Sequence, residues 1–160
     1  MKIIISGAGE VGSHLAKMLR NEANDICVID SNQQRLTALS ETADVVTVCG
    51  NPASIEVLKN AGAEKADLFV AVNPSTSQNV NVVCSALAKS LGSKKVVCRV
   101  NNEEYLAYDN KYLFSDMGID LLFYPEKIAA GEIVDLLKRS ASTEAMEFGR
   151  GKLQISVYKL

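Results

Sequence analysis

The chain has 160 residues, of which 48% are hydrophobic and 22% charged, and its formal net charge at pH 7 is −2. This composition is typical of a packed globular domain and excludes a disordered chain. The charge disfavours nucleic acid as a partner, because binding to a phosphate backbone requires a basic surface. No apolar run approaches the ~20 residues that span a bilayer, so we expect a soluble, cytoplasmic protein without direct membrane insertion.

The four cysteines form no C-x-x-C pair, which disfavours both a metal site and a redox dithiol. They are Cys27, Cys49, Cys84 and Cys98, and three of them fall inside or at the end of apolar runs. We expect all four to be small buried hydrophobic residues in a reducing compartment, with no metal bound.

Short β-rich runs alternate with helical patterns along most of the chain. The runs that predict strands are Lys2–Ser6, Asp25–Asp30, Asp44–Cys49, Asp67–Val72, Lys95–Val100 and Asp120–Phe123. The patterns that predict helices are Glu10–Arg20, Asn32–Ser40 with Ser31 as its N-cap, Ala53–Asn60, Ser77–Leu91, and Glu103–Met117 with a break near Asp109 and Asn110. This alternation predicts an α/β fold, a Rossmann-like doubly wound parallel sheet of about six strands.

The pattern changes after residue 124. Pro125 fits the first turn of a helix that ends near Arg139, and its apolar face is expected to close the fold or to meet another subunit. Ser140–Glu144 is interpreted as a linker, and the alternation in Lys152–Lys159 predicts a terminal strand whose pairing partner is missing. We therefore expect a dinucleotide-binding domain over 1–124, a crossover and dimerisation helix over 125–140, and over 141–160 a linker and the start of a further domain.

A glycine motif joins the first strand to the first helix. It reads Gly7-Ala8-Gly9-Glu10-Val11-Gly12, the G-x-G-x-x-G spacing of a dinucleotide-binding turn in the strand-to-helix context that this chemistry requires. The N–H groups of Ala8 to Val11 are expected to be free and to face phosphates, helped by the helix dipole. The alternative is a tight turn without a ligand.

Asp30 ends the second predicted strand. There its carboxylate can accept hydrogen bonds from the ribose hydroxyls of an adenosine, and it would repel a 2′-phosphate, which favours NAD over NADP. Arg35 is the nearby cation, too weak an indication to reverse that choice. The alternative role of Asp30 is that of a cap or turn residue.

The sequence offers little for catalysis. No nucleophile elbow, H-E-x-x-H pair or P-loop is present, and the single histidine, His14, is expected to be satisfied or exposed to solvent. Asn73 to Ser77 follows the fourth strand, and its hydroxyls serve either the distal half of a ligand or a helix cap. Arg99 in an apolar strand needs an anionic partner, either a cofactor phosphate or a carboxylate of another subunit.

A series of short motifs follows along the chain. They are, in order, the glycine turn, Val28-Ile29-Asp30, Gly50-Asn51, Glu56-Val57-Leu58, Ala61-Gly62-Ala63, Asp67–Val72, Arg99-Val100-Asn101-Asn102, Gly118-Ile119-Asp120 and Pro125-Glu126. In the order and spacing of these motifs, nearly the whole chain resembles the RCK (also called KTN) nucleotide-binding domains of TrkA-type potassium uptake regulators.

The resemblance implies a regulatory subunit that binds NAD or NADH, with ATP or ADP as the alternative ligand. It implies a homo-oligomer, a dimer building to a ring, beneath a membrane-embedded potassium transporter, with the helix after Pro125 crossing to a partner subunit. It also assigns roles within the cofactor-binding site, which is expected to consist of Gly7, Ala8, Gly9, Glu10, Val11 and Gly12 at the phosphates, Asp30 and Ser31 at the ribose, Gly50 and Asn51 beside the adenosine, Asn73 near the distal half, and Arg99 toward a phosphate or a neighbouring subunit. Many relatives carry aspartate at the position of Asn51.

Three functions remain as hypotheses. The first is a nucleotide-responsive regulator that gates transport without catalysis of its own. The second is the N-terminal cofactor domain of an NAD-dependent oxidoreductase, and the third is an oligomerisation module with a vestigial site.

Overall fold

The β-rich runs of the first 124 residues form one parallel sheet in the computed structural model, which describes residues 1–20, 24–140, 144–148 and 153–157. The chain divides into two compact units, Met1–Tyr124 and Pro125–Leu160. The strands of the first unit are β1 (Lys2–Ser6), β2 (Asp25–Asp30), β3 (Val46–Cys49), β4 (Leu68–Ala71), β5 (Lys95–Arg99) and β6 (Leu121–Phe123).

The strand order in the sheet is β3-β2-β1-β4-β5-β6, so β1 pairs with β2 on one side and with β4 on the other. The chain thus moves in one direction from β1 to β3 and in the opposite direction from β4 to β6. This confirms the Rossmann-like fold class, and it places a topological switch point between β1 and β4, where ligands of doubly wound sheets bind.

Helices of the first unit connect consecutive strands. They are α1 (Glu10–Leu19), α2 (Gln33–Ser40), α3 (Ile55–Asn60), α4 (Gln78–Leu91) and α5 (Lys111–Asp116), with short 3₁₀ turns at Ala63–Lys65, Ser75–Ser77 and Glu103–Leu106. The predicted break in the last helical segment is confirmed, because Glu103–Leu106 and α5 are separate.

The sheet has a hydrophobic core on each face, as alternation along buried strands requires. Ile3 and Ile5 of β1 belong to a cluster with residues of α1 and α2, whereas Ile4 belongs to a cluster with residues of α3 and α4. The central strand is therefore apolar at every position from Ile3 to Ile5, which explains its uninterrupted hydrophobic run.

Two local predictions are wrong. The N-cap of α2 is Asn32, not Ser31, because the Asn32 side chain accepts from the N–H groups of Gln34 and Arg35. Cys49 is an exposed thiol, whereas the other three cysteines are buried as expected, and all four are free.

The second unit contains a helix, α6 (Pro125–Ser140), and an antiparallel pair of strands, β7 (Glu144–Phe148) and β8 (Leu153–Val157). The expectation of an unpaired terminal strand is therefore wrong, because β7 is the partner of β8, and Glu144 begins a strand and does not end a linker. Residues 141–143, which the predicted linker also includes, lie outside the described residues. Among the described helices, none combines the length and apolar character that crossing a membrane requires.

Candidate functional site

The predicted site residues of the first unit converge at the carboxyl edge of the sheet, since parallel strands all end there. Several cavities open along this edge, and two of them share Pro74. The larger, of about 430 Å³, is lined by residues of the second to fourth strand ends that include Asp30, Ser31, Asn51 and Asn73. The smaller, of about 240 Å³, is lined by residues that include Gly9, Glu10, Val11 and Arg99.

The glycine turn approaches the residues that follow β4 closely, because Gly7 and Gly12 have no side chains. Gly7 has φ of +109°, which favours glycine, and a Cβ there would lie 2.8 Å from the backbone nitrogen of Asn73. A Cβ on Gly12 would meet the backbone carbonyl of Gly7 and, at 3.2 Å, a methyl group of Val72. These two glycines therefore serve the packing of α1 against the turn and the sheet.

Gly9 differs from its two neighbours in the motif. A Cβ placed on Gly9 would have nothing within 4 Å, so the space beside this residue is open. Gly9 is also the N-cap of α1 and has no side chain to satisfy the N–H groups of the first turn. The open space and the N-terminal N–H groups together suit an anion such as a diphosphate.

The Ala8 N–H is not free, in contrast to the prediction. It donates to Oδ2 of Asp30 at 2.7 Å, and the Gly7 N–H donates to the carbonyl of Ile29 at 2.7 Å. Within the described part of the chain, the N–H groups of Gly9, Glu10 and Val11 have no hydrogen-bond partner. The donors that face the open space therefore begin at Gly9.

Asp30 is a buried carboxylate, only 4% exposed, at the end of β2. Its Oδ2 accepts from Ala8, and its Oδ1 accepts from the N–H of Asn32 at 2.8 Å. Arg35 approaches Oδ2 at 3.9 Å from the side. Each carboxylate oxygen has two acceptor positions, so both oxygens can still accept from a ribose while they hold the glycine turn in place.

The loop after β3 forms another wall of the larger cavity. The Gly50 N–H donates to the carbonyl of Asp30 at 3.0 Å, which extends the pairing of β2 and β3 by one step. Asn51 is exposed, and its Oδ1 accepts from the N–H of Ala53 at 2.9 Å, so the side chain fixes its own loop. Ser31 borders the same cavity as an exposed residue.

Asn73 follows β4 and lies in a buried network of amides. Its side-chain nitrogen donates to Oγ of Ser6 at 2.8 Å and to Oδ1 of Asn81 at 2.9 Å. Asn81, on α4, is 0% exposed and was not among the predicted site residues. The signal that marks it is a polar residue on the same helical face as Cys84 and Ala88, both buried.

Arg99 ends β5, is half-buried, and lines the smaller cavity together with Gly9 and Glu10. Glu10 is exposed at the start of α1, so the cavity has one potential cation and one potential anion on its wall. His14 is exposed one turn further along α1. Among the described residues, no three histidine, cysteine or acidic side chains are placed to share a metal ion.

A third cavity of about 610 Å³ is lined mostly by apolar side chains, including Leu15, Met18, Val97 and Phe123. It lies beside α1, on the face of β4, β5 and β6 that carries Val70, Val72 and Val97. Its lining offers few hydrogen-bonding groups, so this groove suits an apolar surface better than a phosphate or a ribose.

The first unit corresponds to a known domain family. A profile of the TrkA-N domain family matches residues 3–125. The Trk system potassium uptake protein TrkA of Haemophilus influenzae is 37% identical to this chain over 161 residues, covering 99% of this chain and 35% of that protein. The chain therefore spans about a third of the length of this relative.

Solved structures share the fold. The TrkA-N domain of the inner membrane protein ybaL from Escherichia coli superposes with a TM-score of 0.71 at 23% identity, covering 85% of this chain and 96% of that one. The GsuK channel bound to NAD gives a TM-score of 0.63 at 19% identity, covering 92% of this chain and 24% of the channel chain.

Proposed function

This chain belongs to the TrkA-N domain family, and from that premise we propose that it is the nucleotide-binding part of a regulatory subunit of a potassium uptake transporter. In this proposal the subunit binds NAD or NADH, has no catalytic activity of its own, and gates transport through a conformational change. Its partner is a membrane-embedded potassium transporter, which would hold it at the cytoplasmic face of the membrane. The proposal extends the name of the Haemophilus influenzae relative to this chain.

The observation that carries the proposal is the combination at the switch point of the sheet. Open space beside Gly9, unpaired N–H groups at the start of α1 and the buried carboxylate of Asp30 lie on adjacent strands, β1 and β2. A diphosphate fits the first two features, and an adenosine ribose fits the third. Gly50, Asn51 and Ser31 would border the adenosine, and Arg99 would reach toward a phosphate or a second subunit.

The choice of ligand rests on Asp30. The Asp30 carboxylate is buried, only 4% exposed, and accepts hydrogen bonds from two backbone N–H groups, so it cannot easily move away from a 2′-phosphate. The site therefore favours NAD over NADP. Solved GsuK structures of the same fold contain NAD in one case and ADP in another. ATP or ADP is the alternative ligand, since both contain the adenosine and phosphates that these features would recognise.

Assembly into a homo-oligomer is part of the proposal. The helix α6 has exposed apolar residues, from Val134 at 46% to Leu137 at 64%, and their burial against a second copy would be favourable. A dimer that builds to a ring would let nucleotide binding change the relative orientation of subunits. The coupling would equal the difference in ligand affinity between the two arrangements.

Calorimetric titration of the chain with NAD, NADH, NADP, ATP and ADP, with the mass followed by light scattering, tests this function. We expect NAD or NADH to bind more tightly than NADP and to change the assembly. Binding of ATP alone would retain the regulator and change its ligand. No binding by any of the five would overturn the proposal, and consumption of NADH with a substrate would indicate an oxidoreductase.

A further inference from the structure

The orientation of the Asn73 side chain is fixed by groups whose hydrogen-bonding character is unambiguous. Oδ1 of Asn81 accepts from the backbone N–H of Asn73 at 3.0 Å, and Nδ2 of Asn81 donates to the carbonyls of Asn73 and Arg99, both at 3.2 Å. A backbone N–H can only donate and a carbonyl can only accept, so the Asn81 amide has one possible orientation. The Asn73 atom beside Asn81 Oδ1 must then be its nitrogen.

Every donor of Asn73 is consequently in use. Its backbone N–H and one side-chain hydrogen point to Asn81 Oδ1, and the other side-chain hydrogen points to Oγ of Ser6 at 2.8 Å. Asn73 is 6% exposed and borders the larger cavity. The polar atom that its amide can still offer to a ligand is the acceptor Oδ1. A phosphate oxygen, which is also an acceptor, would be repelled there.

Strand order then gives a pattern of hydrogen-bonding groups along the edge of the sheet. Asp30 ends β2, the N–H groups from Gly9 follow β1, and Asn73 follows β4, and these three strands are adjacent in the order β2-β1-β4. The edge therefore presents acceptor, donor and acceptor, over roughly 10 Å for two interstrand spacings. A complementary ligand has donor, acceptor and donor, as in a ribose, a diphosphate and a second ribose.

We propose that Asn73 is the residue that selects a dinucleotide, by accepting a hydrogen bond from a hydroxyl of the second ribose, and that Asn81 is the positioning residue that keeps it an acceptor. This inference rests on the proposed binding of an adenine nucleotide and specifies which kind. A nucleoside triphosphate would place phosphate oxygens where the second ribose lies, opposite an amide that has no donor to give them.

Analogues of NAD that lack the 2′- or the 3′-hydroxyl of the nicotinamide ribose test the contact directly. With the full chain, one of the two analogues should bind roughly three- to tenfold more weakly than NAD, the value of one neutral hydrogen bond. In Asn73→Ala, NAD should lose a similar factor and the same analogue should lose nothing further. Asn81→Ala should show the same loss of discrimination, because the Asn73 amide is then free to turn.

Two controls separate this contact from a general effect on folding. Ser85→Ala removes another buried polar group one turn along α4, and it should leave the ratio of NAD to analogue affinity unchanged. NAD lacking a hydroxyl on the adenosine ribose should lose affinity equally in wild type and in Asn73→Ala, since that ribose belongs to Asp30.

Each outcome decides the matter. Equal affinity of the wild-type chain for NAD and both analogues overturns this inference and leaves the proposed function standing, whether or not the variants fold. Additive losses from the analogue and from Asn73→Ala would also overturn it, because they would show that Asn73 acts only on the structure. Absence of binding by NAD and ATP alike would overturn the proposed function as well.

Discussion

Substitution of Asp30 should weaken the fold as well as the binding of a nucleotide. In the absence of any ligand, the carboxylate already accepts from Ala8 and Asn32, and Ala8 itself is 4% exposed. Asp30→Ala leaves the Ala8 N–H buried without a partner, whereas the backbone N–H of Asn32, an exposed residue, can donate to water. The variant therefore separates a structural role of this residue from its proposed role at the ribose.

The magnitude follows from these contacts. A hydrogen bond to a charged group contributes about 1.5–3 kcal/mol, and an unsatisfied buried N–H costs a comparable amount. Removal of the carboxylate also removes the cost of burying a charge, which offsets part of this loss of stability. The ion pair with Arg35 contributes little to stability, because the two groups are 3.9 Å apart and the Arg35 side chain is 47% exposed. We expect Asp30→Ala to lower the free energy of unfolding by about 2–3 kcal/mol, or roughly 4–12 °C in the melting temperature.

Chemical denaturation of the ligand-free chain measures this loss, and calorimetry on the folded variant measures a separate loss of about 1–3 kcal/mol in NAD binding. Asp30→Asn should cost about 1 kcal/mol of stability, because its remaining oxygen can still accept from Ala8. Asp25→Ala, an exposed acid at the opposite end of the same strand, should stay within about 0.5 kcal/mol of wild type. If the unfolding free energies of Asp30→Ala and Asp25→Ala agree within about 0.5 kcal/mol, the structural role of Asp30 is refuted.

Three further predictions concern other parts of the first unit. Gly9→Val should fold normally and lose at least about tenfold in NAD affinity, whereas Gly12→Ala should unfold, because its Cβ meets the backbone carbonyl of Gly7. Circular dichroism measures the folding of both variants and calorimetry measures the NAD affinity of Gly9→Val. Tight NAD binding by Gly9→Val would contradict the assignment of the glycine turn to the phosphates. A thiol reagent near neutral pH should label the exposed Cys49 first, since burial raises the pKa of the other three thiols to about 11 or 12. Bound NAD should slow the labelling of Cys49, as followed by mass spectrometry. Labelling of Cys49 at the same rate with and without NAD would contradict the proposed position of the ligand. The hydrogen bond from Lys94, and after it one from the backbone N–H of Lys2, lowers the pKa of Asp67 from its usual value, so the ionised carboxylate stabilises the fold at neutral pH and this contribution disappears as pH falls through the lowered pKa. Chemical denaturation should show that Asp67→Asn is less stable than wild type at pH 7 and equally stable in acid. A stability difference from wild type that persists in acid would contradict this role of Asp67.

The sheet and the glycine turn were predictable because the sequence encodes their backbone requirements directly. Buried parallel strands need apolar residues at consecutive positions, as in Ile3 to Ile5, and the turn needs glycine where φ is positive or where helix and strand approach closely, as at Gly7 and Gly12. The fold class and the family resemblance are both confirmed on this basis.

The contacts that depend on side-chain direction were not predictable. The position of Asn81 on the helical face of Cys84 and Ala88 indicates burial, but one sequence does not show which groups its amide contacts. The same limit explains why the Ala8 N–H was assigned to a phosphate, since only the geometry shows that Asp30 already accepts from it. Ser31 and Asn32 are both good N-caps, and the backbone decides between them.

The terminal strand shows a different limit. The alternation of β8 predicts that strand, but β7 is rich in glutamate and alanine, which are uncommon in strands, so the sequence predicts a linker that ends at Glu144 and no strand over Glu144–Phe148.

Amide chemical shifts of the ¹⁵N-labelled chain during a titration with NAD test the central claim most directly. We expect saturable shifts concentrated at the carboxyl edge of the sheet, at Gly9, Glu10 and Val11, at Asp30 and at Asn73, with little change at the start of β1. Absence of shifts at saturating NAD, or shifts confined to the apolar groove beside α1 near Met18 and Phe123, would contradict the assignment of this cleft as the nucleotide site.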